Sequence, residues 1–167
     1  MNHTNEVDYV NITRSIGGSC KSKVGRRGGQ QLVKLVHATG SCTKNANILH
    51  EFIHLLGFHH IHISPNRDNY IKILWENVNP PYTKRFIKRP DSDELSDFET
   101  GYDYDSIMHT NFLAYSSNGL PTILTLDPKN RHRIGQRKKL SDGDLLRINQ
   151  MYKCHEISSG LLDKKHF

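Results

Sequence analysis

The stretch HEFIHLLGFHH, residues 50–60, contains histidines at a spacing that allows them to share one metal ion. His50 and His54 are four residues apart, so in a helix both side chains project from one face about one turn apart. Glu51 is offset from His50 by about 100°, too far round to ligate but near enough to reach a water on the ion. This HExxH arrangement supplies two metal ligands and a general base.

The residues that follow supply a third ligand. Gly57 allows the chain to turn sharply after the helix, and His60 then returns toward the ion. The full pattern HExxHxxGxxH is much more specific than its first five residues, which also occur by chance on amphipathic helices. His59 is out of register for ligation, and His62 is predicted to be a surface residue, the alternative being a role beside the site. Three neutral nitrogens with an open fourth position are typical of a catalytic zinc site. The sequence therefore predicts one Zn²⁺ per chain, bound by His50, His54 and His60.

The elements that must position these residues are predicted from hydrophobic periodicity and from turn residues. A helix begins near Thr43 or Asn45 and ends at Gly57. Apolar residues lie around most of its circumference, so the helix is expected in the core. An unpaired glutamate and two histidines are costly there, and a bound cation explains why they occur together. Short strands are predicted at residues 6–13, 20–24 and 31–36, and a strand or a short helix at 70–78.

A second helix is predicted in LSDGDLLRINQMYKC, residues 140–154. Ser141 is a favourable N-cap, and Asp144 three residues later completes a capping box. Leu145, Ile148 and Tyr152 are expected to face one way. By contrast, the acidic stretch 91–105 shows little periodicity and is predicted to be a surface loop.

Length and composition favour one soluble globular domain, since the chain has 167 residues of which 35% are hydrophobic. No stretch approaches the roughly 20 apolar residues that a membrane span requires. The start lacks the pattern of a secretory signal. The net charge is +6, with basic clusters such as Arg137-Lys138-Lys139 that suit an anionic partner. No nucleic-acid-binding pattern accompanies them, which favours a solvated basic surface. Three cysteines, none in a C-x-x-C pair, allow one bridge.

The segment HEFIHLLGFHHIHISPNRDNY resembles the zinc signature of the astacin metallopeptidases, a branch of the metzincins. The segment YDYDSIMH, residues 102–109, is similar to the family's Met-turn, which identifies Met108 as the methionine beneath the zinc. Cys20 and Cys42 match the family's disulfide pair, and LSDGDLLRINQMYKC resembles its closing helix. The similarity extends from about Val7 to Cys154.

This resemblance implies an α+β fold, namely the two-lobed zincin-like catalytic domain of the metzincins with an active-site helix and a mixed sheet. It implies a peptidase domain at residues 1–155, with lobes that divide near residue 60, and a C-terminal tail at 156–167. The family has a preceding segment whose cysteine pairs with the last cysteine, here Cys154. That segment has no counterpart in the sequence, so the N-terminal lobe is expected to be incomplete.

The implied function is a secreted zinc metalloendopeptidase that hydrolyses peptide bonds in protein or peptide substrates. Glu51 is the implied general base, and the substrate is expected to lie extended beside a sheet edge near residues 20–24. The sequons at Asn2 and Asn11 suit a secreted protein. No nucleic-acid partner is expected, because a basic nucleic-acid binder rests on charge alone.

Two positions depart from the family pattern. Thr110 stands where the family has a tyrosine that serves as a hinged fifth zinc ligand and oxyanion donor. Loss of one such donor typically costs roughly 10²–10³ in rate. Ile61 stands where the family has a glutamate that pairs with the mature N-terminus. The alternative interpretation is therefore a catalytically silent zinc-binding module of the same fold.

Overall fold

The computed structural model describes residues 6–15, 18–36, 42, 45–90 and 101–154. Its strands and α-helices follow the order β1 (Tyr9–Ser15), β2 (Gln30–Val36), α1 (Asn45–Leu55), β3 (Ile71–Ile73), β4 (Ile123–Thr125) and α2 (Asp142–Tyr152). Short 3₁₀ helices occur at Ile61–Ile63, Arg67–Asn69, Trp75–Asn77, Pro80–Phe86 and Pro128–Asn130. This mixture is the α+β class expected from the sequence. Within the described ranges, every helix is too short or too polar to traverse a bilayer.

The two N-terminal strands pair in parallel, in a register that runs from Tyr9 opposite Gln30 to Ser15 opposite Val36. Both strands confirm the sequence prediction within a few residues. A third predicted strand at residues 20–24 is wrong, because only Lys21 pairs, in an isolated antiparallel bridge with Lys34. The chain turns away at Gly25, whose φ of 70° lies in the left-handed region.

Helix α1 confirms the predicted element, but not the predicted burial. Its buried residues are Ala46, His50, Glu51, Ile53 and His54. Leu49 and Phe52 are 38% and 39% exposed, so the expectation of a helix buried on nearly all sides is wrong. His50, Glu51 and His54 are buried instead. Their burial is costly unless other groups or a cation compensate for it. Gly57 follows with φ 107° and turns the chain out of the helix, as predicted.

A second sheet pairs β3 with β4 in antiparallel fashion, with Ile71 opposite Thr125. Parallel and antiparallel pairing are thus both present, in two separate sheets of the described chain. The stretch 70–78, predicted as a strand or a short helix, contains both: strand β3 and then a 3₁₀ turn at Trp75–Asn77. The core around this sheet consists of Ile71, Ile73, Val78, Phe86, Ile123 and Ile134.

Helix α2 begins with the predicted capping box. The Ser141 hydroxyl accepts from the Asp144 N–H at 2.9 Å, and the Ser141 N–H donates to the Asp144 carboxylate at 3.0 Å. The predicted apolar face is only partly buried: Ile148 packs on the core under α1, whereas Leu145 and Tyr152 are 46% and 45% exposed. Of the predicted loop 91–105, residues 91–100 lie outside the described residues, as do Asn2, Thr43 and the tail from residue 155.

Candidate metal centre

Three imidazole rings converge where α1 ends and the chain turns back. The Nε2 atom of His60 lies 3.2 Å from Nε2 of His54 and 3.2 Å from Nε2 of His50. Helical periodicity places His50 and His54 one turn apart on α1, and the turn at Gly57 returns His60 to the same point. The structure therefore brings together the three residues that the sequence predicts as ligands.

This spacing matches the geometry that zinc requires. Imidazole nitrogens bind zinc at about 2.0–2.1 Å in a tetrahedral arrangement. Two such ligands are therefore about 3.3–3.4 Å apart, close to the 3.2 Å between the Nε2 atoms.

The second nitrogen of each helix histidine fixes the tautomer. Nδ1 of His50 lies 2.9 Å from the carbonyl oxygen of Ile107, and Nδ1 of His54 lies 2.8 Å from that of Phe58. A carbonyl oxygen only accepts, so each Nδ1 carries the proton and each Nε2 presents a lone pair. His60 Nε2 carries at most one proton and can satisfy only one of these lone pairs. A shared cation satisfies all three rings, so this donor set fits zinc.

The environment keeps the rings neutral, which ligation requires. Burial, followed by the charges of Arg137 and His54, lowers the pKa of His50 to about 3. Burial also lowers the pKa of His54 and holds that of His60 well below its ordinary value.

Glu51, the predicted general base, directly follows the first histidine of the triad on α1. Its side chain is only 6% exposed. Burial raises the pKa of Glu51, and hydrogen bonds from Ser22 oppose that rise. The Ser22 hydroxyl lies 2.9 Å from both Oε2 and the main-chain oxygen of Glu51. Nothing in the sequence pattern singled out Ser22, since it belongs to a different segment and reaches Glu51 only through the fold.

Met108 is 1% exposed and packs in the core cluster with Ala46 and Ile53 of α1. The main-chain oxygen of Met108 accepts from the N–H of Ile61, the residue after the third histidine, at 3.1 Å. Its neighbour Ile107 provides the carbonyl that binds His50. The segment 106–109 therefore binds one candidate ligand, His50, and the residue that follows another, His60, through main-chain oxygens. Residue types alone cannot reveal these contacts.

His62 is not a surface residue, so that prediction is wrong. The side chain is 2% exposed, because the 3₁₀ turn Ile61–Ile63 directs it inward, against Phe86. Its Nε2 donates to the main-chain oxygen of Arg85 at 3.0 Å. Burial lowers the pKa of His62 to about 3. This ring packs beside His60, with 5.5 Å between the ring centroids.

Arg137 was predicted as part of a solvated basic cluster, but it is half-buried and lies near the site. One of its guanidinium nitrogens donates to the main-chain oxygen of His109 at 3.0 Å. Its positive charge depresses the pKa of His50 and of His60. Burial, as the largest cause, lowers the pKa of Arg137 itself, and the charge of Glu51 opposes that shift. The sequence could not distinguish Arg137 from Lys138 and Lys139, which are exposed. Only the tertiary structure shows that Arg137 is half-buried.

Cys20 and Cys42 form a disulfide, as the resemblance implied, with 5.8 Å between their Cα atoms. This bond joins the segment that carries Ser22 to the segment that leads into α1. A loop of this length contributes roughly 3 kcal/mol by the chain-entropy model.

Tyr104 and Tyr115, two tyrosines that could stand in for a tyrosine at position 110, contact other residues. Tyr104 donates its hydroxyl to the main-chain oxygen of Tyr70 at 3.0 Å. Tyr115 packs against Tyr82, with 4.9 Å between the ring centroids. Thr110 itself is half-buried, and its carbonyl oxygen accepts from His109 Nδ1 at 2.7 Å.

Comparisons with known proteins agree with this geometry. Seminal metalloprotease 1 of Drosophila melanogaster is 40% identical over 146 residues, which are 86% of this chain and 58% of that protein. Low choriolytic enzyme of Oryzias latipes is 41% identical over 150 residues, covering 90% of this chain and 52% of that protein. The chain thus spans little more than half the length of these curated relatives.

A solved structure is also similar. High choriolytic enzyme 1, a hatching enzyme zinc-protease from Oryzias latipes, superimposes with a TM-score of 0.79 at 38% identity. The match covers 92% of this chain and 73% of that one. A family model described as astacin, a peptidase family, matches residues 1–153. With the histidine triad at the end of its helix and a family match over nearly its full length, the chain belongs to the astacin family.

Proposed function

We propose that this protein is a zinc-dependent metalloendopeptidase that hydrolyses peptide bonds in proteins, with one zinc ion held by His50, His54 and His60. The observation that carries the proposal is the triangle of Nε2 atoms, with 3.2 Å from His60 to each of the other two, beside the buried carboxylate of Glu51. A purely structural zinc site has no need of that carboxylate, since its four ligands are all supplied by the protein.

The residues of the chain divide the chemistry between them. When bound, zinc supplies Lewis-acid chemistry, lowering the pKa of a water toward about 7 and polarising the scissile carbonyl. Glu51 takes a proton from the attacking water and later delivers it to the leaving amine. Its burial favours proton uptake, because the pKa of the carboxyl is raised. The main-chain oxygen of Ile107 orients His50 by binding its Nδ1.

The substrate class is protein or peptide in an extended conformation. The segment 20–24 bonds to β2 on one side through Lys21, and its Ser22 touches Glu51. A peptide that added to this segment as a strand would therefore pass beside the general base. The named relatives, a seminal metalloprotease and choriolytic enzymes, support a protein substrate.

We infer an extracellular location from the Cys20–Cys42 disulfide, because structural disulfides persist in oxidising compartments.

The proposal is tested with Glu51→Gln, which keeps the shape of the side chain and removes the base. The exposed Glu76→Gln is the matched control. We expect casein hydrolysis to fall by roughly 10²–10⁴ in Glu51→Gln, while metal analysis still finds one zinc per chain in both variants. Equal hydrolysis by wild type and Glu51→Gln at the same zinc content would contradict the proposed role.

A second candidate is a catalytically silent zinc-binding module. The observation that favours it is the absence of a tyrosine at position 110, together with the engagement of Tyr104 by Tyr70 and of Tyr115 by Tyr82. This candidate predicts stoichiometric zinc with background hydrolysis in wild type and Glu51→Gln alike.

A further inference from the structure

We propose that Ser22 is a positioning residue for the general base: its hydroxyl binds one carboxylate oxygen of Glu51 and leaves the other directed at the reacting water. This inference deepens the proposed function and rests on it.

The contact has ordinary hydrogen-bond length and is partly buried. Ser22 Oγ lies 2.9 Å from Glu51 Oε2 and 2.9 Å from the main-chain oxygen of the same residue. Both oxygens only accept when the carboxyl is ionised, so the hydroxyl proton is shared between them. The main chain of Ser22 is a second hydrogen-bond partner of the same carboxylate, and it remains in Ser22→Ala. Ser22 therefore links the base to the helix that carries it.

The segment that carries Ser22 is fixed on both sides. Lys21 exchanges two main-chain hydrogen bonds with Lys34 of β2, at 3.1 and 2.9 Å. After Ser22, the N–H of Gly25 donates to the main-chain oxygen of His54 at 2.9 Å. The disulfide at Cys20 adds a covalent tether. Ser22 is thus held against α1 by neighbours that do not depend on its own side chain.

A glutamate needs such a contact because its last torsion is broad, so the carboxylate plane rotates freely unless a partner fixes it. A general base works only within hydrogen-bond reach of the proton that it removes. Binding at Oε2 restricts this rotation and leaves Oε1 for the water.

A merely structural role, in which Ser22 only binds the main chain of α1, makes a different prediction. Removing the hydroxyl would then lower stability or zinc content without acting through the Glu51 side chain. The experiment therefore compares Ser22→Ala with Ser22→Thr, which retains a hydroxyl, in wild type and in the Glu51→Gln background.

We expect Ser22→Ala to lower kcat about tenfold, a part of the roughly 10²–10⁴ that a general base contributes. KM, zinc content and the melting temperature should stay near the wild-type values, and Ser22→Thr should recover most of the rate. In Glu51→Gln, the further change to Ser22→Ala should have no effect on the residual rate. Unchanged kcat in Ser22→Ala, or an equal loss in both backgrounds, would overturn the inference.

Binding of a peptide hydroxamate provides a readout without turnover. A hydroxamate shares its proton with a carboxylate beside the metal, so its Kd reports the position of Glu51. We expect Ser22→Ala to weaken binding several-fold in the wild-type background and not in Glu51→Gln. If Ser22→Ala weakens hydroxamate binding only when Glu51 is present, but the wild type hydrolyses no peptide, the endopeptidase function alone is refuted. Hydrolysis without coupling would refute the role of Ser22 alone, and absence of both would refute the two together.

Discussion

Residues 6–60 and residues 61–154 differ in the size of the apolar side chains that they bury completely. In the first region Ile12 is 53% exposed and Phe52 is 39% exposed. In the second, Phe86, Ile71 and Ile123 are at most 2% exposed. The largest fully buried side chains of the first region are only Val33, Val36 and Cys42.

The candidate ligands and the general base nevertheless come from the first region. One of them is held by the second region, since the main-chain oxygen of Ile107 binds Nδ1 of His50. Residues 6–60 therefore supply the reactive side chains. Residues 61–154 contain the largest completely buried side chains and help to fix the orientation that metal binding requires.

The largest effect is expected where two phenylalanines are compared across the regions. Phe86→Ala removes a fully buried ring and should lower the free energy of unfolding by about 3–5 kcal/mol. Phe52→Ala removes a ring that is 39% exposed, so its cost should be less than half of that. Urea denaturation measures both. Equal losses would show that the two regions are packed alike and would break the comparison.

The next effect tests whether the chemistry belongs to the first region. His60→Ala removes one ligand, and zinc affinity should fall by roughly 100-fold or more, since each ligand of a zinc site contributes about 3 kcal/mol. His59→Ala, one residue away, should keep the affinity of wild type. Competition with a coloured chelator measures both constants. If His59→Ala also lost zinc, the assignment of His60 as the third ligand would be wrong.

A smaller effect concerns the pH dependence of the second region. Burial lowers the pKa of His109 to about 4, so the unfolded chain binds a proton below about pH 6.5 that the folded chain does not. The resulting stability is complete above that pH and is lost as the pH falls toward 4. His109 should account for about 2 kcal/mol of the loss between pH 7 and 5.

This contribution is measured by denaturation of the zinc-free protein at both pH values. His109→Gln should reduce the loss of stability between them by that amount, whereas the exposed His132→Gln should leave it unchanged. A pH dependence that is the same in His109→Gln and wild type would show that the buried ring does not titrate as inferred.

Much of the local structure could be predicted because the signals are short-range. The capping box of Ser141 and Asp144 lies within three residues, and the turn at Gly57 needs only one. The limits of such signals appear in the same elements. Asp144 also accepts from Ser106 Oγ at 2.6 Å and from the Ile107 N–H at 2.8 Å. The capping residue therefore supports the segment whose Ile107 oxygen binds His50. No pattern within α2 indicates that contact.

The failures have one physical cause, which is that burial depends on neighbours distant in sequence. Leu49 and Phe52 are apolar yet exposed, while His62 is polar yet buried against Phe86. Arg137 looks like its lysine neighbours in sequence, but its guanidinium group packs under the main chain of His109.

The sequence by itself determined which atoms can ligate, because a helical repeat and one turn glycine fix the spacing of His50, His54 and His60. Only the tertiary structure decided how those atoms are oriented and which groups assist them. The tautomers depend on carbonyls such as that of Ile107, and the hold on Glu51 depends on Ser22. Hydrogen bonds act over about 3 Å, so partners 29 or 57 residues apart in the chain meet only after the fold has formed.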